Sequence, residues 1–160
     1  TYNVNLSGTQ TAISALTDIP YGKAHSIVDD MIKRVVNPLA NDPRFTLIMI
    51  SHTEEAEITT LSGDTYHKLC PQLPKRARNY FCTLAQNIYY YHYVGKERYL
   101  MITGNESVDA KNRGNGHFVT DKGEAVVNIP MPKNPETAYK YLIAAYNNKL
   151  KNSYKNINKS

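Results

Sequence analysis

Apolar residues recur at three- and four-residue steps in three parts of the chain, and this spacing predicts three amphipathic helices. The first covers residues 21–36 and ends before Pro38, because proline cannot continue a helix. Its predicted buried stripe is Ala24, Ile27, Val28, Met31 and Val35. The last helix has Asn134 as its N-cap and Pro135 in its first turn. Its predicted apolar face is Tyr139, Leu142, Ile143, Tyr146 and Leu150.

The middle helix begins at Lys75 and organises the centre of the chain. Its predicted apolar face is Ala77, Phe81, Leu84, Ile88 and Tyr91, with Gly95 as the residue that ends the helix. The second half of this segment could instead be a strand. Residues 88–94 are a run of strand-forming residues, and Gly95-Lys96 suits a two-residue hairpin turn. The pattern favours the helix as far as Asn87 and leaves both readings open beyond it.

Other apolar runs predict strands. Residues 2–6 alternate between apolar and polar side chains, which is typical of a half-exposed strand. Residues 45–50 are almost continuously apolar, which predicts a central strand, with residues 58–61 as its candidate partner. Residues 98–103 form a further strand, and residues 117–129 form a hairpin that turns at Gly123.

Short helical pieces are expected at residues 11–16 and 64–69. Because helices are mixed with consecutive, hairpin-linked strands, the predicted fold class is α+β, with a mostly antiparallel sheet and helices packed on one side. A single domain is expected over residues 1–151. Residues 152–160 are polar and lysine-rich, and they are expected to form a disordered tail.

The distribution of charge along the chain bears on whether the protein binds nucleic acid. The 160 residues carry a formal net charge of +5, and all of it lies in residues 133–160, which hold six lysines and one glutamate. The high isoelectric point therefore reports a basic tail, which argues against a general nucleic-acid-binding surface. No apolar run approaches the ~20 residues of a transmembrane helix, so no transmembrane segment is predicted.

The two cysteines are Cys70 and Cys82, with Pro71 and Pro74 between them. A disulfide between them would close a short loop and stabilise the fold by about 3 kcal/mol. Such a bridge is typical of a secreted or periplasmic protein. The alternative is two free thiols, and the absence of a CxxC pattern argues against metal or redox chemistry at either cysteine.

Several kinds of functional motif are absent from the sequence. It contains no phosphate-binding glycine loop, nucleophile elbow, HExxH motif or zinc-ligand set. His52 precedes three glutamates, Glu54, Glu55 and Glu57, which together could supply metal ligands, although a solvated acidic loop is the simpler interpretation. No metal and no cofactor are therefore predicted.

His117 is the candidate for acid–base chemistry. It follows an irregular loop that contains Glu106, Asp109 and Arg113. A histidine with a carboxylate and a cation suits the cleavage of a phosphodiester. The simpler interpretation is a half-exposed strand histidine beside a flexible connection.

Lys75, Arg76 and Arg78 form the candidate anion site. Cations oppose the dipole at a helix start, yet spare backbone amides together with cations can also bind phosphate or sulfate. The simpler interpretation is a solvated and screened surface.

These observations predict a small secreted or envelope-associated bacterial protein without enzymatic activity, a host- or surface-assembly-interacting factor that acts by binding. The expected partner is a protein or an anionic ligand, and the sequence does not define an oligomeric state. The alternatives are a nuclease-like hydrolase around His117 and, more weakly, a nucleic-acid-binding module that uses the basic helix start and the tail.

Overall fold

The structure is a computed structural model that describes residues 2–6, 8–19 and 23–151. Within these ranges, three α-helices accompany nine short strands, and every strand pair is antiparallel. The predicted α+β class is therefore confirmed. The chain divides into two compact units, Thr1–Ile50 and Ser51–Ser160. The single domain over residues 1–151 stays a prediction, and the predicted tail lies outside the described residues.

The first unit begins with a hairpin. Strand β1 (Tyr2–Leu6) pairs antiparallel with strand β2 (Thr9–Ile13), as the alternation of residues 2–6 predicts for β1. The helix predicted over residues 11–16 is wrong, because the ladder of β2 takes up residues 9–13. Only a 3₁₀ turn, Leu16–Asp18, follows.

Helix α1 (Lys23–Ala40) continues beyond its predicted end at residue 36. Pro38 therefore lies inside the helix and does not end it. Pro38 has no amide to donate to the carbonyl four residues earlier, so it costs the helix one hydrogen bond near its end without ending it. The amide of Asn41 donates to the carbonyl of Asn37 at 3.1 Å and closes the helix end. The predicted buried stripe is only partly buried, since Met31 is 58% exposed and Val35 is 64% exposed.

The central strand predicted at residues 45–50 is wrong. The structure assigns no strand there, and Ile48 and Ile50 are 78% and 95% exposed. A strand forms only when a neighbour accepts its backbone hydrogen bonds, and no described segment does so for these residues. Residues 58–61 accordingly have a different partner from the one predicted.

The second unit begins with strands β3 (Thr53–Thr59) and β4 (Thr65–Pro71), which form an antiparallel hairpin. The helix predicted over residues 64–69 is wrong. Gly63 adopts a φ of 95°, a left-handed conformation that suits glycine, and the amide of Thr60 donates to the carbonyl of Asp64 at 2.8 Å. After this turn, the chain therefore runs back alongside β3 as strand β4.

Helix α2 (Lys75–Leu84) ends earlier than the favoured reading. Strands β5 (Asn87–Ile88), β6 (Tyr90–Val94) and β7 (Glu97–Met101) follow it. The hairpin reading of this region is therefore confirmed: β6 pairs with β7 across a turn in which Gly95 has a φ of 59°. Strand-forming side chains and a turn glycine together outweigh the helical spacing of Ile88 and Tyr91.

Two short strands complete the sheets. Strand β8 (Lys111–Asn112) pairs with β5, and strand β9 (Asn128–Pro130) pairs with β7. The predicted hairpin around Gly123 is present in shortened form, because the amide of Thr120 donates to the carbonyl of Glu124 at 2.7 Å. The main core cluster is Ile102, Phe118, Val126, Ile129, Ala145 and Leu150.

Helix α3 (Pro135–Tyr146) starts as predicted, since the Asn134 side chain accepts a hydrogen bond from the Thr137 amide. The predicted apolar face is confirmed in part, because Leu142 and Leu150 pack in the core. Ala145 is fully buried, with Tyr141 and Leu142 packed against the same core cluster. Tyr139, which was predicted to face the core, is 63% exposed.

Candidate functional site

The three cations at the start of α2 do not act together. Lys75 and Arg76 are exposed, whereas Arg78 turns back toward the β3–β4 hairpin. One guanidinium nitrogen of Arg78 donates to Glu54 Oε1 at 2.5 Å and lies 2.9 Å from the Sγ atom of Cys70. The Arg78 side chain is only 16% exposed, so this is a part-buried ion pair. It is not a free anion-binding cation.

The hairpin register explains why Arg78 reaches both atoms. Glu54 on β3 lies directly opposite Cys70 on β4, so their side chains project from neighbouring positions of the ladder. Burial raises the pKa of the Cys70 thiol, and the nearby Arg78 charge opposes that rise. Cys70 is therefore a protonated thiol at neutral pH that packs beneath the guanidinium.

The predicted disulfide is wrong, because Cys70 and Cys82 are both free thiols. Cys70 is buried on a strand beside Arg78, and Cys82 lies in the last turn of α2. Burial also raises the pKa of Cys82. The argument for a secreted or periplasmic protein that depended on this bridge loses its support, and the location of the protein stays a prediction.

Two cations stabilise the other end of α2: Lys111, which the sequence analysis did not single out, and Arg113, which it placed near His117. The ammonium of Lys111 donates to the carbonyl of Cys82, and Arg113 donates to the carbonyl of Thr83 at 3.1 Å. Burial lowers the pKa of Lys111, with the Arg113 charge as the next cause. The last turn of α2 has no basic residue of its own, so β8 and the residue after it supply the charges that this helix end favours.

The residues proposed for acid–base chemistry contact different partners. The Nδ1 atom of His117 donates to the carbonyl of Tyr146 at 2.9 Å, and the two rings stack with centroids 3.8 Å apart. Asp109 lies 3.9 Å from the ammonium of Lys68, and Glu106 is exposed. Among the described contacts, none joins His117 to either carboxylate. Their catalytic role stays a prediction without an assembled site.

The acidic segment after residue 51 is divided by the pleat of β3. Glu54 faces Arg78, whereas Glu55 and Glu57 are exposed on the opposite face. His67 lies 3.8 Å from Glu55 across the hairpin. Across the described part of the chain, no three histidine, cysteine or acidic side chains are grouped so that they could hold a metal ion.

The fold defines a small α+β protein built from antiparallel hairpins, and a comparison of the sequence places it in a family. Residues 4–114, more than half of the chain, match the AAA domain family. The chain therefore belongs to that family. Comparisons with curated proteins and with solved structures give no match.

This membership corrects the predicted function. An AAA domain is a nucleotide-binding domain of the ATPase type, so the prediction of a secreted, non-enzymatic binding protein is wrong. The predicted disulfide is likewise wrong, because both thiols are free, and the association with secretion has no support from the family match. In the described ranges, no helix has the length and apolar character needed to cross a membrane.

The 160 residues do not fit the phosphate loop and magnesium site of such a domain. The loop pattern GxxxxGK[ST] supplies backbone amides and a lysine to phosphate, and a hydroxyl to magnesium. In the sequence, Gly22 comes directly before Lys23, the first residue of α1, but Thr17 stands where the first glycine is required and Ala24 where the hydroxyl is required. The other Gly-Lys pair, at Gly95, turns a hairpin. No hydrolytic step is therefore assigned to these residues.

Proposed function

We propose that this chain contributes to a nucleotide-binding domain of the AAA type and contacts nucleoside phosphates at the start of α2. The match of residues 4–114 to the AAA domain family carries the proposal, since that range includes α2 and the hairpin to which α2 is bound. The expected ligand is an anion, in agreement with the basic helix start that the sequence pattern indicates. Binding is proposed here, and hydrolysis is not.

The chemistry of the helix start supports contact with phosphate. Pro74 occupies the N-cap position and provides no side-chain hydrogen bond to the first turn. The Arg78 amide donates to the carbonyl of Pro74 at 2.9 Å. At the start of an α-helix, backbone amides point along the axis toward the N-terminus, where the macrodipole favours a negative charge. The exposed Lys75 adds a positive charge at the same place.

The Arg78–Glu54 ion pair supports the same site indirectly. It binds the first turn of α2 to β3 at 2.5 Å, and so it fixes the direction in which the first amides point. Arg78 is a positioning residue in this account, because its own charge is already matched by Glu54. Lys75 is the residue proposed to contact the phosphate.

Nuclear magnetic resonance titration of the ¹⁵N-labelled chain with ATP tests the proposal. We expect weak binding, on the order of millimolar or about −4 kcal/mol, with chemical-shift changes at residues 75–78. The double variant Lys75→Glu/Arg76→Glu should lose these changes. The control variant Lys96→Glu/Lys122→Glu makes the same charge change at two exposed turns and should keep them.

The titration distinguishes failure of the proposed nucleotide contact from failure of the proposed site. If ATP perturbs no residue of the chain, the proposed nucleotide contact is wrong. If ATP perturbs residues elsewhere, and the Lys75→Glu/Arg76→Glu variant responds like the wild type, binding is retained but the site at α2 is wrong.

A further inference from the structure

A cavity of about 270 Å³ lies at the end of α3. Its walls are almost entirely apolar, and the residues that line it are Tyr139, Lys140, Ile143, Ala144, Asn147 and Lys149. An apolar cavity of about 150 Å³ already holds a benzene molecule. The cavity beside α3 therefore has room for an aromatic ring or for a short hydrocarbon chain.

The turn that follows α3 forms one side of this cavity, and hydrogen bonds hold the turn in place. Asn148 adopts a φ of 61°, the left-handed conformation that commonly ends a helix, and the amide of Lys149 donates to the carbonyl of Ala144 at 2.7 Å. The Asn148 side chain donates to the carbonyl of Gly116 at 2.6 Å and accepts from the amide of Val119 at 3.0 Å. These bonds bring Lys149 back beside the helix.

Two of the lining residues, Lys140 and Lys149, carry positive charge, and both are exposed. Among the described residues, no acidic side chain lines the cavity and no ion pair includes either lysine. Residues 133–160 also carry the whole net charge of the chain. An apolar cavity with two cations and no counter-charge is complementary to an anion that carries an apolar group.

Charge and shape narrow the choice of occupant. Residues 152–160 contain two lysines and no acidic residue, so their charge repels the two lysines of the cavity. A lipid surface is flat and leaves a cavity of this size unfilled. A small molecule with one negative group and one apolar group fits both the volume and the charge.

We infer that the cavity binds a small amphiphilic anion of the medium-chain carboxylate class. Its hydrocarbon chain enters the cavity, and its carboxylate accepts hydrogen bonds from Lys140 and Lys149. Helix α3 lies outside residues 4–114, which match the AAA domain family. The site is therefore independent of the nucleotide contact proposed at α2.

Chemical-shift titration of the ¹⁵N-labelled chain with three probes tests the inference. Octanoate has both the hydrocarbon chain and the carboxylate, acetate has the carboxylate alone, and octylammonium joins a chain of eight carbons to a positive charge. We expect octanoate to shift the amide signals of residues 139–149. Its dissociation constant should be at least about tenfold lower than that of either other probe, because only octanoate matches both the cavity and the lysines.

A charge-reversed variant tests the recognition of the anion. Lys140→Glu/Lys149→Glu should reverse the preference, so that octylammonium binds at least about tenfold more tightly than octanoate. The control variant Lys96→Glu/Lys122→Glu makes the same charge change at two exposed turns and should keep the preference of the wild type. Thermal melting checks that both variants are folded at the temperature of the titration.

Filling the cavity tests the recognition of the hydrocarbon chain. Ala144→Phe occupies the cavity and leaves both lysines in place, so it should weaken octanoate binding at least about tenfold without changing the response to acetate. Ile143→Ser, at an exposed position of the cavity wall, is the second variant. It removes apolar surface without adding volume, and it should also weaken octanoate binding.

Several results would overturn the inference. Octanoate fails to shift the signals of residues 139–149, or it binds no more tightly than acetate or octylammonium, or the charge-reversed variant keeps the preference of the wild type. A shift of the same signals on dilution without any probe would show instead that a second copy of the chain covers the cavity. A response to vesicles of anionic phospholipid, without a response to octanoate, would assign this surface to a membrane.

Discussion

Arg78 in α2 donates a hydrogen bond to Glu54 in β3 at 2.5 Å, and this contact joins the start of the helix to the β3–β4 hairpin. The two residues are 24 positions apart in the chain. The Sγ atom of Cys70 lies 2.9 Å from the same nitrogen, so one guanidinium contacts both strands. The orientation of the proposed phosphate contact depends on this pair.

Removing Arg78 should destabilise the protein. Arg78→Ala leaves the Glu54 carboxylate without its charged partner, and we expect the free energy of unfolding to fall by about 1.5 kcal/mol. The value stands at the low end of the range for charged hydrogen bonds because the Glu54 side chain remains 35% exposed. Urea unfolding measures the change, and Lys75→Ala serves as the exposed control. Equal stability of both variants would show that the pair contributes nothing.

The state of the cysteines gives a second prediction. Unfolding the protein without reductant should release two reactive thiols, whereas the native protein should react slowly because burial raises the pKa of both Cys70 and Cys82. A reductant should leave the melting temperature unchanged. A thiol count near zero in the unfolded, unreduced protein would restore the disulfide that the structure contradicts.

Lys111 should stabilise the end of α2. Lys111→Met keeps the length and apolar stem of the side chain but removes the donor to the Cys82 carbonyl and one cation at the helix end. We expect a loss of about 1 kcal/mol in the free energy of unfolding. Hydrogen exchange of the last α2 amides should quicken in this variant. Lys149→Met, at an exposed position after α3, is the control and should change neither quantity.

Asp18 should make the first unit sensitive to acid. Its carboxylate accepts hydrogen bonds from the amides of Ala15 and Ser14 at 2.9 and 2.8 Å, and these bonds lower its pKa. A lowered folded pKa contributes stability that is present above the ordinary value of 3.8 and is lost as the pH falls through the folded value. The protection of the amides of residues 14 and 15 against exchange, relative to their intrinsic rate at each pH, should therefore fall below about pH 4. In Asp18→Asn the same step should be absent, and its persistence would exclude Asp18 as the cause.

Local signals predict some elements well. Asn134 and Pro135 define the start of α3 because capping depends on adjacent residues. The turn at Gly95 and the strand after it also follow from local chemistry, once strand propensity is given more weight than helical spacing. The α+β class follows from the order of such elements.

Contacts between distant residues are what the sequence does not predict. The residues next to Arg78 in the sequence do not indicate that Glu54 is its partner. Likewise, no local pattern indicates that Lys111 donates to the carbonyl of Cys82. The run at residues 45–50 has the pattern of a central strand, yet a strand also needs neighbours, and the described residues provide none. The sequence patterns do not indicate the AAA domain family, because the phosphate loop that is its clearest local signal is absent from these residues.

The most direct test of the account compares the dissociation constants of ATP and adenosine for this chain, measured by chemical-shift titration at low and high salt. If phosphate is bound at the start of α2, ATP should bind at least tenfold more tightly than adenosine, and the difference should shrink as salt screens Lys75. Equal affinity for the two ligands, or no binding of ATP at either salt concentration, would contradict the proposed function.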